Sequence, residues 1–111
     1  MKKLLLLPLL LSLFVADAQT TAIPDPNFEQ ALINIGLDVI PIDGVIPTAN
    51  IDTLTILIVA AQGLSDLTGI EDFTSLTYLN CGYNPLLLNI NVTQNTALTE
   101  LWSTYGQLMV N

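Results

Sequence analysis

Leu54, Leu76 and Leu98 stand 22 residues apart, and each opens a segment that fits the frame LxxLxLxxNxL. The segments are LTILIVAAQGL (54–64), LTYLNCGYNPL (76–86) and LTELWSTYGQL (98–108). Frame positions one, four and eleven are apolar in all three, position six is Val59, Cys81 or Ser103, and position nine is Gln62, Asn84 or Gly106. One match carries little information in a chain that is 51% hydrophobic. Three in register carry much more, because a fixed period between about 20 and 50 residues marks units that stack on their neighbours.

Alternate side chains of a strand face opposite ways, so the apolar positions of each LxL point to a core and the residues between them point out. A single unit cannot bury its apolar face alone, and stacked neighbours complete one another's core. The expected fold is therefore an α/β solenoid, a short leucine-rich-repeat array with a 22-residue period, parallel strands and an N-terminal helical cap. Asn84 is expected to turn the chain out of its strand, with Gln62 a partial substitute and Gly106 none. Leu67, Ile70 and Phe73 recur every three residues, as a 3₁₀ segment places them. Leu88, Ile90 and Val92 alternate, which predicts an extended connection.

Residues 1–18 read as an export signal. Lys2 and Lys3 precede an apolar run, Leu4 to Val15, that is too short to span a bilayer, and Ala16-Asp17-Ala18 offers small residues for cleavage after Ala18. Residues 19–53 form the expected cap, with a helix near 26–36. Asp25-Pro26 supplies a capping side chain and a first-turn proline. Phe28, Ala31, Leu32 and Ile35 make one apolar face, and Gly36 is placed to end the helix. That face is expected to cover the first strand's edge, where Ile56, Ile58, Ala60 and Ala61 offer little to water. Residues 54–111 hold the three frames.

Lys2 and Lys3 are the only basic residues and histidine is absent, so a chain cleaved after Ala18 carries no cationic side chain. Nucleic-acid binding requires Lys or Arg against phosphates and is excluded on this ground. Serine or cysteine catalysis lacks its usual neighbouring base, and zinc lacks histidine ligands. No enzyme activity and no cofactor are expected. Asp38, Asp43 and Asp52 offer oxygen ligands for calcium, but their spacing lacks the D-x-[DN]-x-[DN]-G loop and is read as a solvated turn. Asp66, Glu71 and Asp72 are read as surface charge on a turn rather than as a glycosidase pair. The lone Cys81 has no partner for an internal disulfide, and its inward frame position makes it a small core residue. Asn91-Val92-Thr93 is formally a glycosylation triplet of low specificity.

The stretch TAIPDPNFEQALINIGLD followed by GLSDLTGIEDFTSLTYLNCGYNPL resembles the start of exported bacterial leucine-rich-repeat proteins with internalin-like repeats, most specifically in LTGIEDFTSLTYLNC. The resemblance implies a secreted or surface-exposed module for adhesion or recognition, periplasmic if no sorting domain follows, and a chain that is the front part of a longer protein. The outward positions name the face that would bind: Tyr78, Asn80, Tyr83, Glu100, Trp102 and Tyr105, which hold every tyrosine and the one tryptophan of the chain. Such side chains combine contact area with a polar handle and are enriched in binding hot spots, so the expected partner is a protein or a glycan. A structural spacer without a ligand is the alternative. No insertion in a membrane is expected after cleavage, and an uncapped C-terminal edge is expected to promote self-association.

Overall fold

The computed structural model describes residues 18–103 and 106–109. After two N-terminal strands, β1 (Thr20–Ala22) and β2 (Val45–Pro47), the 22-residue spacing is carried by three short strands, β3 (Ile56–Ile58), β4 (Tyr78–Asn80) and β5 (Glu100–Ser103). They pair in parallel, with Ile56 beside Tyr78 and Tyr78 beside Glu100, then Leu57, Leu79 and Leu101, then Ile58, Asn80 and Trp102. The alternation is met: Leu57, Leu79 and Leu101 are buried, and their neighbours on both sides are exposed or half-buried. Each strand is entered through the same tight turn, in which the amides of Leu54, Leu76 and Leu98 donate to the carbonyls of Ile51, Phe73 and Asn95 at 3.2, 3.2 and 3.0 Å.

The chain does not build the solenoid expected from the frames. It forms a small compact globule of one helix and two sheets, and the parallel array does not propagate beyond β5. Instead β6 (Gly106–Met109) folds back antiparallel on β5, with Leu101 opposite Leu108 and Trp102 opposite Gln107. The third frame is thus split between two strands of a hairpin. Leu108, which the frame puts a full turn beyond its strand, lies beside the residue at frame position four. The physical cause is that a hairpin and a continuing strand share the same two-residue alternation, so the hydrophobic pattern alone does not separate them. The hairpin pairs the edge of β5 that would otherwise stand open, and β3 and β6 are the outer strands of the sheet among the described residues.

The second sheet is a two-stranded antiparallel pair, β1 (Thr20–Ala22) with β2 (Val45–Pro47). Between them runs α1 (Pro26–Asn34), the one α-helix among the described residues. Its start follows the sequence reading: Asp25 is the N-cap, its Oδ1 accepts from the Asn27 amide at 2.9 Å, and Pro26 occupies the first turn. Its end is a Schellman arrangement. Gly36, at φ +86°, donates to Ile33, and Leu37 donates back to Leu32 at 2.9 Å.

Because the helix stops at Asn34, Ile35 leaves the apolar arc and is 51% exposed. The remaining face, Phe28, Ala31 and Leu32, packs inward, and the Phe28 ring stacks on Phe73 with centroids 6.2 Å apart. The helix consequently does not cover Ile56 and Ile58, which remain 56% exposed each. One continuous core joins Ile23, Phe28, Ile46, Ile51, Leu57, Leu79 and Leu98 across cap and sheet.

Three side chains tie the cap to the sheet. Asp25 Oδ2 accepts from the amides of Ser65 and Asp66 at 2.8 and 3.1 Å, Asn27 donates to the Gly63 carbonyl, and Thr21 Oγ1 donates to Asp72 at 2.7 Å. Gly69 closes this junction at φ +107°. A Cβ there would meet the Ala22 carbonyl oxygen at 2.6 Å and run into the Ile23 side chain.

Candidate functional site

Two transverse rows of side chains cross the outward face of the parallel strands. The first is Ile56, Tyr78 and Glu100; the second is Ile58, Asn80 and Trp102. In both rows the β3 residue is exposed and the β4 and β5 residues are half-buried. The rows place apolar, aromatic, amide and carboxylate groups side by side on one surface. The Trp102 indole N–H is shielded from solvent and has no hydrogen-bond partner among the described residues. Asn80 Oδ1 accepts from the Gly82 amide at 3.0 Å, which fixes its side chain against the strand end.

Of the six residues predicted for this face, the structure brings Tyr78, Asn80, Glu100 and Trp102 together. Tyr83 stands beyond β4 in a turn with φ +56°, 78% exposed. Tyr105 lies outside the described residues. Ile56 and Ile58, read from the sequence as outward strand positions beneath the helix, are exposed because Leu57 between them turns to the core and α1 packs on Phe73 rather than over this edge.

Asn84 supports the face from behind. It is fully buried, its Oδ1 accepts from the amides of Gln62 and Leu64, and its Nδ2 donates to the carbonyls of Val59, Cys81 and Gly82. Gln62, expected to do the same work one frame earlier, is exposed and presents only its backbone to Asn84. The turn before β5 has an equivalent that sequence reasoning missed: Asn95, also buried, whose Nδ2 donates to the carbonyls of Ile70 and Phe73. It occupies the repeat position held by Phe73 one period earlier, and an Asn in place of a core aromatic was the available signal. Cys81 is fully buried, and burial pushes its thiol up to about 11, so it is not ionised near neutral pH.

A second constellation lies in the cap. Glu29, Asp38 and Asp43 bring carboxylate oxygens within 4.8 Å of one another. Glu29 is fully buried on α1 and accepts from the amides of Asp43 and Gly44 at 3.1 and 2.8 Å. Asp38 Oδ2 is shielded and has no hydrogen-bond partner among the described residues. Burial raises the Glu29 pKa, the two backbone amides oppose that shift, and the neighbouring Asp43 and Asp38 carboxyls add to it. Of the carboxylates weighed for calcium from sequence, Asp38 and Asp43 belong to this group, and Glu29 rather than Asp52 completes it. Three such oxygens fall short of the roughly six to eight that calcium takes. The signal for Glu29 was its place directly after Phe28 and three residues before Leu32, at the margin of the buried helical arc.

Asp25 behaves in the opposite way. Burial works to raise its pKa, but the amides of Ser65, Asn27, Asp66 and Phe28 outweigh that effect and hold it below its ordinary value.

Comparison with protein-family models and with curated proteins finds no match to this chain. Among the described residues no helix is long and apolar enough to cross a membrane. The export signal read at residues 1–18 lies outside the described residues apart from Ala18.

Proposed function

We propose that the protein is an exported recognition module that binds a protein or glycan through the outward face of β3, β4 and β5. The observation that carries this reading is the pair of transverse rows, Ile56–Tyr78–Glu100 and Ile58–Asn80–Trp102, exposed or half-buried on one surface while the opposite side chains of the same strands fill the core. Surface isoleucines beside a tyrosine and a tryptophan have the composition of a contact centre, and the polar members give orientation. The absence of cationic side chains from residue 4 onward directs the face toward neutral or basic partners and away from phosphates. The resemblance of residues 67–81 to exported bacterial surface proteins supports display outside the cytoplasm.

Trp102 is the only tryptophan, so its emission reports directly on the face. Screening glycans and secreted proteins for a saturable change in that emission tests the proposal. Tyr78→Ala is expected to weaken a ligand found this way by about 2 kcal/mol, roughly thirtyfold. A ligand whose affinity survives Tyr78→Ala and Ile58→Ala unchanged overturns the assignment and favours a spacer whose contacts lie elsewhere.

A further inference from the structure

The segments that connect β3 to β4 and β4 to β5 enclose a groove of about 460 Å³ that shares no residue with the strand face. Its apolar floor is Leu67 and Ile70. One wall carries Asp66 and Glu71, the other Asn89 and Gln94. We propose that this groove binds a basic peptide segment, taking a lysine or arginine side chain between Asp66 and Glu71 and the adjoining peptide groups against Asn89 and Gln94.

Three observations lead to this ligand. Asp66 Oδ1 is occupied by the amide and hydroxyl of Thr68, and Glu71 Oε1 by the Gly69 amide, which fixes both carboxylates in place. Their second oxygens make no hydrogen bond within the described residues, and the chain from residue 4 onward has no cation to offer them. A bound cation meets no competing internal partner.

The amides of Asn89 and Gln94 are exposed and unbonded within the described residues. Each presents one acceptor and two donors, the complement of a peptide group, which itself holds one N–H and one C=O. The floor suits the remaining part of the ligand, because the aliphatic stem of Lys or Arg lies along apolar surface while its charged end remains among polar groups. No aromatic ring lines the groove to stack on a sugar. The volume falls within the roughly 300–1,000 Å³ of small-ligand sites.

The test is a nitrogen-15 NMR titration of the protein with a capped Lys-Arg-Lys peptide, run beside spermidine and maltotriose. Saturable shifts are expected in the side-chain amides of Asn89 and Gln94 and in the backbone of Thr68. Asp66→Asn and Glu71→Gln both keep the oxygen that bonds inside the protein. Together they are expected to weaken the peptide about tenfold, and Asp52→Asn, outside the groove, is expected to leave it unchanged. Equal binding of spermidine would show that the carboxylates act as bulk charge and overturn the peptide assignment. Maltotriose shifting the same amides would overturn it in favour of a glycan, and peptide shifts confined to Tyr78 and Trp102 would move binding to the strand face.

Discussion

Glu29 is the residue at which burial and charge conflict most directly. A solvated glutamate at that point of α1 would leave the amides of Asp43 and Gly44 without their side-chain acceptor. The buried one bonds the amides of Asp43 and Gly44 and so fixes the path of the 38–44 loop, beside two other carboxyls. Its carboxyl sits above its ordinary value of 4.5, so the folded state binds this proton more tightly than the unfolded chain does. The contribution to stability is therefore full below pH 4.5 and is lost as pH rises through the folded value.

Asp25 has the reverse sign. Held below its ordinary 3.8, it contributes above that pH and its contribution is lost as pH falls through the lowered value. Glu29→Gln separates the two: it removes the titration, keeps one oxygen for the loop and gives up one of the two bonds to the Asp43 and Gly44 amides. Urea midpoints measured at pH 4.5 and at neutral pH are expected to fall with rising pH in the native protein and to fall less in the variant. Equal slopes in the two proteins would mean that Glu29 is not the group responsible.

At the scale of elements, α1 is both capped and anchored by Asp25, whose two oxygens bond its own first turn and the amides of Ser65 and Asp66. A cap alone is worth about 1 kcal/mol, and a hydrogen bond to a charged acceptor about 1.5–3 kcal/mol. Asp25→Ala is expected to cost roughly 3 kcal/mol in urea denaturation; a loss near that of a cap alone would show the link to Ser65 and Asp66 to be idle. The cap half of this element was legible in the sequence, because Asp-Pro and the later Gly36 act through local geometry. Its exposed end was not. Ile35 fits the apolar periodicity, but the Schellman turn ends the helix one residue earlier, and periodicity carries no stop signal of its own.

The strands show the same division. The register of β3, β4 and β5 was readable because the period of the sequence equals the spacing of paired residues, and the clustering of Tyr78, Asn80, Glu100 and Trp102 on one face follows from it. The β5–β6 hairpin was not readable. Leu101 and Leu108 satisfy the frame and a folded-back pair equally well, and only backbone pairing decides between them. Glu29 escaped detection for a third reason: its partners are amides of a loop whose path depends on Glu29 itself.

For the molecule as a whole, the balance lies between open sheet edges and uniform charge. β3 and β6 each have one edge without a strand partner among the described residues, and β3 also exposes Ile56 and Ile58. Unpaired strand edges are templates for another chain. Opposing this, every ionised side chain from residue 4 onward is a carboxylate, so two copies repel. That repulsion reaches about 30 Å at 0.01 M salt, about 8 Å at physiological salt and about 3 Å at 1 M, whereas burial of apolar edge residues is not screened. Light scattering is expected to give a monomer at low salt and a rising apparent mass as salt increases. Ile58→Glu adds to the edge a charge of the same sign as the rest of the chain and exchanges a side chain that is already more than half exposed, so it leaves the core intact. It is expected to keep the protein monomeric to higher salt. A native protein that stays monomeric over the whole range would refute edge pairing, and association unaltered by Ile58→Glu would move the contact from β3 to the β6 edge.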